Sequence, residues 1–375
     1  MTLIKQNDQH QRIAILDQMR GIVLLGIFLA NVPGLSSVDT ENLSPVNEVL
    51  RSLEEIILSD STRPLFAFMF GLSLMLLYNR LKAKEINPYP MLFRRLFLLT
   101  LVGAVHGYAI WSGDILLMYG MAGFVLLLFM DWSAAGLVMT AFLFWIVYTI
   151  GSDVISYFSS YHLSLEDGLK GLLPDSEQPP TGTEYLIIEF SSMVAHIGFF
   201  LFGMYAYRKG LFTIIEKRRT AMGLLAVICL VIGLAGKISL YDRIVLHPLE
   251  NFYPFVVTIG MILCIVLLGT SKTSMSKLLV PFTSVGKMAF TNYLLQSIVF
   301  VSLFQSSGRT IFINLGIWQE PSYAFALGIG VILFAVQMIF SHFWLKAFRY
   351  GPFEWLWRIG TYGKMVSIKR REETE

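Results

Sequence analysis

RIAILDQMRGIVLLGIFLANVP, residues 12–33, decides the fold. It is long and apolar enough to cross a membrane as a helix, yet it carries Asp17 and Arg20. A charge in hydrocarbon costs about 3 kcal/mol or more, so such residues persist where they pair and face a protein interior. Three positions apart on a helix, Asp17 and Arg20 lie on one face and can pair. Asn31 follows Arg20 by eleven positions, close to three turns, and continues the same stripe. The stretch therefore predicts a first membrane span with a polar face turned into a helix bundle.

The rest of the chain agrees. Of its 375 residues 55% are hydrophobic and 15% charged, against about 25% charged in soluble domains. The expected class is an all-α, polytopic integral membrane bundle. The charges inside 12–33 also break the uninterrupted apolar core that a cleavable signal needs. Cys229 and Cys264 sit in apolar runs with no metal-binding or redox spacing, and read as small buried hydrophobes. No Walker motif, GxGxxG or HExxH occurs, nor the basic, aromatic surface of a nucleic-acid binder, so no metal and no nucleic acid are expected.

A span takes roughly 20 mainly apolar residues. Ten are predicted, over 13–33, 63–80, 96–112, 114–130, 133–152, 185–207, 220–240, 251–270, 285–304 and 322–344. Loop 80–95 carries five Lys or Arg, loop 208–219 five more, and the tail beyond 344 is strongly basic. Segment 34–62 has one Arg among six acids, and segment 153–184 one Lys among six acids. The positive-inside rule then puts both termini in the cytoplasm, and the alternation needs an even number of spans. Segment 153–184, with PDSEQPPTGTE, is an external loop between a five-span half over 1–152 and another over 185–375. VNEVLRSLEEIIL, residues 46–58, reads as an amphipathic helix lying on the outer interface.

Several polar groups lie at membrane depth. His106 lies in the outer half of span three and Asp114 opens span four across the tight hairpin WSGD, so the turn can bring them together. A histidine held by a carboxylate is the arrangement of a general base; the same pair is also satisfied if Asp114 merely caps its helix. Glu189 and His196 are two turns apart in span six. Thr291, Asn292 and Gln296 open span nine and can hydrogen-bond across helices. Arg94 and Arg95 open span three and suit the phosphates of a nucleotide-bearing cofactor. In GPFEWLWR, Glu354 and Arg358 form an i, i+4 pair in an interfacial anchor.

LDQMRGIVLLGIFLANVP, RPLFAFMFGLSL, RRLFLLTLVGAVHGYAIWSGDILLMYGMAG, VGKMAFTNYLLQS and YGPFEWLWR, spread from residue 16 to 358, together resemble the YeiB-like family of bacterial membrane proteins, a domain-of-unknown-function family. That family is distantly similar to transmembrane acyltransferases, among them heparan glucosaminide acetyltransferase and envelope sugar acyltransferases. The resemblance implies transfer of an acyl group from cytoplasmic acyl-CoA to a sugar or other small acceptor at the outer face of the plasma membrane. Asn31 stands where the envelope enzymes carry a histidine, and His106 is the replacement expected here. In this reading His106 and Asp114 are catalytic, Arg94 and Arg95 hold the donor, and Asp17, Arg20, Asn31, Glu189, His196 and Asn292 form a polar core. Membrane lipids are the expected surroundings, and a homodimer is compatible with the sequence. The alternative is a proton-coupled transporter or efflux protein using Glu189, His196, Asp17 and Arg20.

Overall fold

The computed structural model describes residues 2–40, 43–160, 182–241, 251–305, 307–317 and 321–370. Residues 161–181 of the segment expected to be external, His162 among them, lie outside this description, as does His247. Among the described residues the regular elements are helices. They run α1 Thr2–Ser36, α2 Pro45–Ile57, α3 Thr62–Lys82, α4 Pro88–Ala109, α5 Leu116–Leu126 and α6 Ala134–Ser160. There follow α7 Gly182–Lys209, α8 Leu211–Lys217, α9 Arg219–Tyr241, α10 Phe252–Gly269 and α11 Val280–Lys287. The last are α12 Ala289–Phe304, α13 Ser307–Asn314, α14 Tyr323–Ala347 and α15 Pro352–Tyr362.

Among the described residues eight helices or helix runs are long and apolar enough to cross a membrane, and a ninth arises if α11 and α12, bent by 77°, form one broken span. The fourth of the ten expected spans, 114–130, is present only as a shorter apolar stretch, Leu116–Phe129, outside that count. Its 14 residues reach about 21 Å at 1.5 Å per residue, short of a hydrocarbon core of about 30 Å. The chain is a polytopic all-α membrane bundle, as its sequence predicts.

Some boundaries differ from expectation. Span three starts at Pro88, because Asn87 Oδ1 accepts the Tyr89 N–H at 3.2 Å and a proline suits the first helical turn. Arg94 and Arg95 therefore lie inside α4 rather than ahead of it. Residues 153–160, expected in a loop, continue α6. The 46–58 amphipathic helix is present as α2.

Contacts gather the chain into two compact units built from non-contiguous stretches. One comprises Met1–Phe66, Phe212–Leu234 and Val256–Glu375, the other Ala67–Leu211 and Ala235–Phe255. In the first, α1 packs on α11, α12 and α14. The α1–α11 approach depends on glycine: a Cβ on Gly286 would lie 1.7 Å from the Asp17 carbonyl oxygen, and one on Gly21 would lie 2.2 Å from that of Phe282. Small residues that let backbones meet are how membrane helices associate without a hydrophobic drive. The break falls at Met288, where φ −113° and ψ 29° leave the helical region. Beyond it Glu354 of α15 reaches the start of α12. Its Oε1 accepts the N–H groups of Phe290 (2.8 Å) and Thr291 (3.0 Å), and its Oε2 accepts the Thr291 hydroxyl at 2.5 Å. The expected Glu354–Arg358 pair is thus replaced. A carboxylate is worth more on unsatisfied helix N–H groups than on a surface cation, and Arg358 stacks over the Tyr350 ring at 4.2 Å.

In the second unit, α6 packs on α7, α4 on α5, and α5 on α7. At the end predicted to be cytoplasmic, Asp131 ties three elements together. Its Oδ1 accepts from Lys82 and from Tyr78, each at 2.7 Å, and its Oδ2 accepts from Tyr89 at 3.1 Å. These bonds, Lys82's first, hold the Asp131 carboxyl down at about 2.

Candidate functional site

Helix α4 places His106 through its inner stripe. Leu92, Leu96, Leu99, Gly103, His106 and Gly107 are buried, while Phe93, Phe97, Leu101, Val105 and Tyr108 are exposed on the other side. The helix ends one turn later, with the His106 carbonyl accepting the N–H groups of Ile110 and Trp111 at 2.9 and 3.0 Å. The chain then turns back so closely that a Cβ on Gly103 would lie 2.2 Å from the Leu117 nitrogen.

That return brings Asp114 to His106, as the spacing predicts. His106 Nδ1 lies 3.1 Å from Asp114 Oδ1, and both side chains are buried, at 2% and 0% exposure. The second oxygen of Asp114 accepts the N–H groups of Leu116 (3.0 Å) and Leu117 (3.3 Å). Glu189 of α7 completes the cap, its Oε2 accepting the Met118 N–H at 3.1 Å. Two carboxylates thus satisfy successive orphan donors at one helix N-terminus, where the helix dipole favours negative charge. Capping and histidine-holding, alternatives in the sequence, are done together by the two oxygens of one residue.

Tyr185 closes the site from α7. It is fully buried, meets the Tyr108 ring edge-on at 4.9 Å, and its hydroxyl would lie 2.0 Å from a Cβ on Gly107. Sequence reasoning missed Tyr185. Its signal was its place in α7 four residues before Glu189, on the same face. His196, one turn further along α7 than Ser192, bonds that residue's carbonyl through Nδ1 at 2.8 Å.

Arg94 and Arg95 lie on α4 in the second unit, and the remaining predicted residues lie in the first. Asp17 and Arg20 form the expected pair at 2.8 Å. Asn31 accepts from Arg63 Nη2 at 3.3 Å; eleven residues from Arg20, it stands about 16 Å further along α1. Asn292 donates to Ser341 Oγ at 3.0 Å. Gln296 Nε2 donates to Gln337 Oε1 at 2.8 Å, and Gln337 Nε2 to the Asn292 carbonyl at 3.0 Å. Of the polar set that opens span nine, Asn292 and Gln296 therefore bond across to α14, as expected, and Thr291 bonds to Glu354 of α15. Among the described residues no group of three or more metal-ligating side chains comes together.

Comparison with known proteins gives the lineage. Aligned over 413 positions, the chain is 30% identical to the uncharacterised protein YxaH of Bacillus subtilis, with 99% of each chain covered. The chain belongs to the DUF418 family. The DUF418 model, described as a protein of unknown function, matches residues 206–364. Two further relatives span nearly the full length. One is an uncharacterised 39.9 kDa protein in the amylase 3'region of Bacillus acidopullulyticus, 25% identical over 97% of this chain and 98% of its own. The other is the uncharacterised protein YeiB of Escherichia coli, 26% identical over 93% and 96%. This DUF418 chain is thus YeiB-like, as its motifs imply.

Proposed function

We propose that this chain is an acyltransferase of a bacterial plasma membrane, moving an acyl group from cytoplasmic acyl-CoA to a hydroxyl or amine acceptor at the outer face. The observation that carries the reading is the buried His106–Asp114 couple. Asp114 beside Nδ1 favours the tautomer with its hydrogen there, which leaves Nε2 as the base. Nε2 takes the acceptor's proton as the acceptor attacks the thioester carbonyl. The tetrahedral intermediate then expels the CoA thiolate, which takes that proton back from the imidazolium. A sugar of the cell envelope is the acceptor class the resemblance favours.

Of the two arginines proposed for the donor, the helix geometry favours Arg95. Eleven residues before His106, it lies within about 20° of it around α4 and about 16 Å along the axis, roughly the reach of an acyl-pantetheine arm. Arg95 is half-buried, whereas Arg94, turned about 120° away, is exposed. The test is purified protein in nanodiscs with labelled acetyl-CoA and a crude envelope extract as acceptor source. Saturable binding is expected, weakened at least tenfold by Arg95→Ala. His106→Gln should keep binding and cut release of free CoA by about 10²–10⁴. No binding at millimolar acetyl-CoA overturns the proposal.

One observation favours a second reading, proton-coupled transport. The 77° break at Met288 is a discontinuous helix next to buried Asn292, Gln296 and Gln337, and broken helices form the binding sites of many carriers. Flux in proteoliposomes that Glu189→Gln abolishes, with no acetyl-CoA binding, would decide for it.

A further inference from the structure

Helix α2 is amphipathic the reverse way round. Val46, Val49, Leu53 and Ile57 form its exposed stripe, at 67, 59, 49 and 42% exposure. Its polar side faces the protein: buried Glu54 pairs with Arg51, and Asn47 Oδ1 accepts the Ala324 N–H at 3.0 Å. An apolar stripe turned outward on an amphipathic helix suits the headgroup–acyl boundary of a membrane, here the outer one by the positive-inside reading, and the turn that follows would then lie at headgroup depth.

In that turn a cleft of about 90 Å³ opens, walled by Asn31, Ser59, Asp60, Thr62 and Arg63 over Ile27. Its chemistry has two signs. Arg63 supplies a guanidinium, suited to the paired oxygens of a phosphate. Asn31 spends Oδ1 on Arg63, so its amide group is the donor available there. Ser59 donates to Glu54 at 2.9 Å and Thr62 donates to the Leu58 carbonyl at 3.1 Å, so toward a ligand both hydroxyls present lone pairs. Asp60 adds a carboxylate. Its φ of +57° lies in the left-handed region, uncommon outside glycine though easier for Asp and Asn. A bare anion would meet Asp60 and a bare cation would meet Arg63. A ligand that carries an anionic and a cationic group together meets both signs.

We propose that this cleft binds a phosphate–ammonium headgroup of the phosphoethanolamine type, with Arg63 and Asn31 on the phosphate and Asp60, Ser59 and Thr62 on the ammonium. The site stands independently of the acyl-transfer reading, because its residues belong to the first unit and His106 to the second. The experiment is native mass spectrometry of the full chain with dioleoyl-phosphatidylethanolamine or dioleoyl-phosphatidylglycerol, which share acyl chains. Phosphatidylethanolamine should be retained at least fivefold better. Arg63→Ala should remove that preference, Arg63→Lys should weaken it, and Asp60→Asn, which keeps a residue tolerant of the left-handed backbone, should shift it toward phosphatidylglycerol. Free O-phosphoethanolamine, but not alanine at equal concentration, should displace the lipid. Saturable binding of O-phosphoethanolamine without lipid retention would assign the same chemistry to a soluble source. Equal retention of the two lipids with no O-phosphoethanolamine binding overturns the proposal. So does retention unchanged in both Arg63→Lys and Asp60→Asn. CoA release measured on these variants separates failure here from failure of the catalytic proposal.

Discussion

Two helices in this protein begin where water is scarce, and each is capped by acid. At α5 the caps are Asp114 and Glu189; at α12 the cap is Glu354. The task is the same, to satisfy the first N–H groups of a helix. The spare oxygen makes the difference. On Asp114 it faces a histidine, and on Glu354 it takes a threonine hydroxyl. A hydroxyl cannot gain a charge at ordinary pH and a histidine can, so one cap is suited to proton chemistry and the other to holding a shape.

Removing the first cap should do most damage. Asp114→Ala leaves two buried N–H groups and His106 without their carboxylate, an expected loss of about 3–5 kcal/mol, seen as a collapse of the thermal midpoint in detergent. Asp114→Asn keeps a carbonyl for the N–H groups. It should cost far less stability yet lower CoA release as deeply as His106→Gln. If the Asp114→Asn protein works normally, the two caps are chemically alike and the comparison fails.

At the second cap, Glu354→Ala should cost about 2–3 kcal/mol and speed hydrogen exchange at the Phe290 and Thr291 amides, with CoA release per folded molecule unchanged. Burial pushes the Glu354 carboxyl above its ordinary range. The folded state therefore holds that proton more tightly, so this contribution is full at acid pH and declines as pH rises past the ordinary carboxylate value. Glu354→Gln should retain most of the stability and flatten that slope in melts run from about pH 4 to 8.

Glu189→Gln should change stability by about 1 kcal/mol or less, since a glutamine oxygen still accepts from Met118. Unchanged CoA release with this variant supports its role as a cap, whereas lost flux supports transport. Smallest is Asp131→Asn. The Asp131 side chain is 59% exposed, so solvent screens its bonds. With the folded carboxyl depressed to about 2, its contribution is complete above the ordinary carboxylate value and disappears as pH falls through about 2. The variant should remove the last part of an acid unfolding curve followed by tryptophan fluorescence.

Much of this was legible in the chain because membrane physics writes plainly. Apolar length and basic loops set out the spans, and the hairpin WSGD places Asp114 beside His106. Asp17–Arg20 follows from helical spacing alone. What stayed hidden depended on partners far away in sequence. Glu354 has an obvious neighbour in Arg358, and nothing local says that α12 would present N–H groups to it 63 residues upstream. Arg63 on Asn31 and Tyr185 over Gly107 are hidden for the same reason. The break at Met288 was unreadable too, since GKMAF contains no proline.

The brevity of α5 carries its own consequence. With its 3-10 extension to Phe129 it is still about 9 Å too short for ordinary hydrocarbon, so it can cross only where the lipid puckers inward or the aqueous phase dips down to the hairpin. Acyl-chain length in the host membrane then becomes a control knob. Thick bilayers should strain this spot and thin ones relax it.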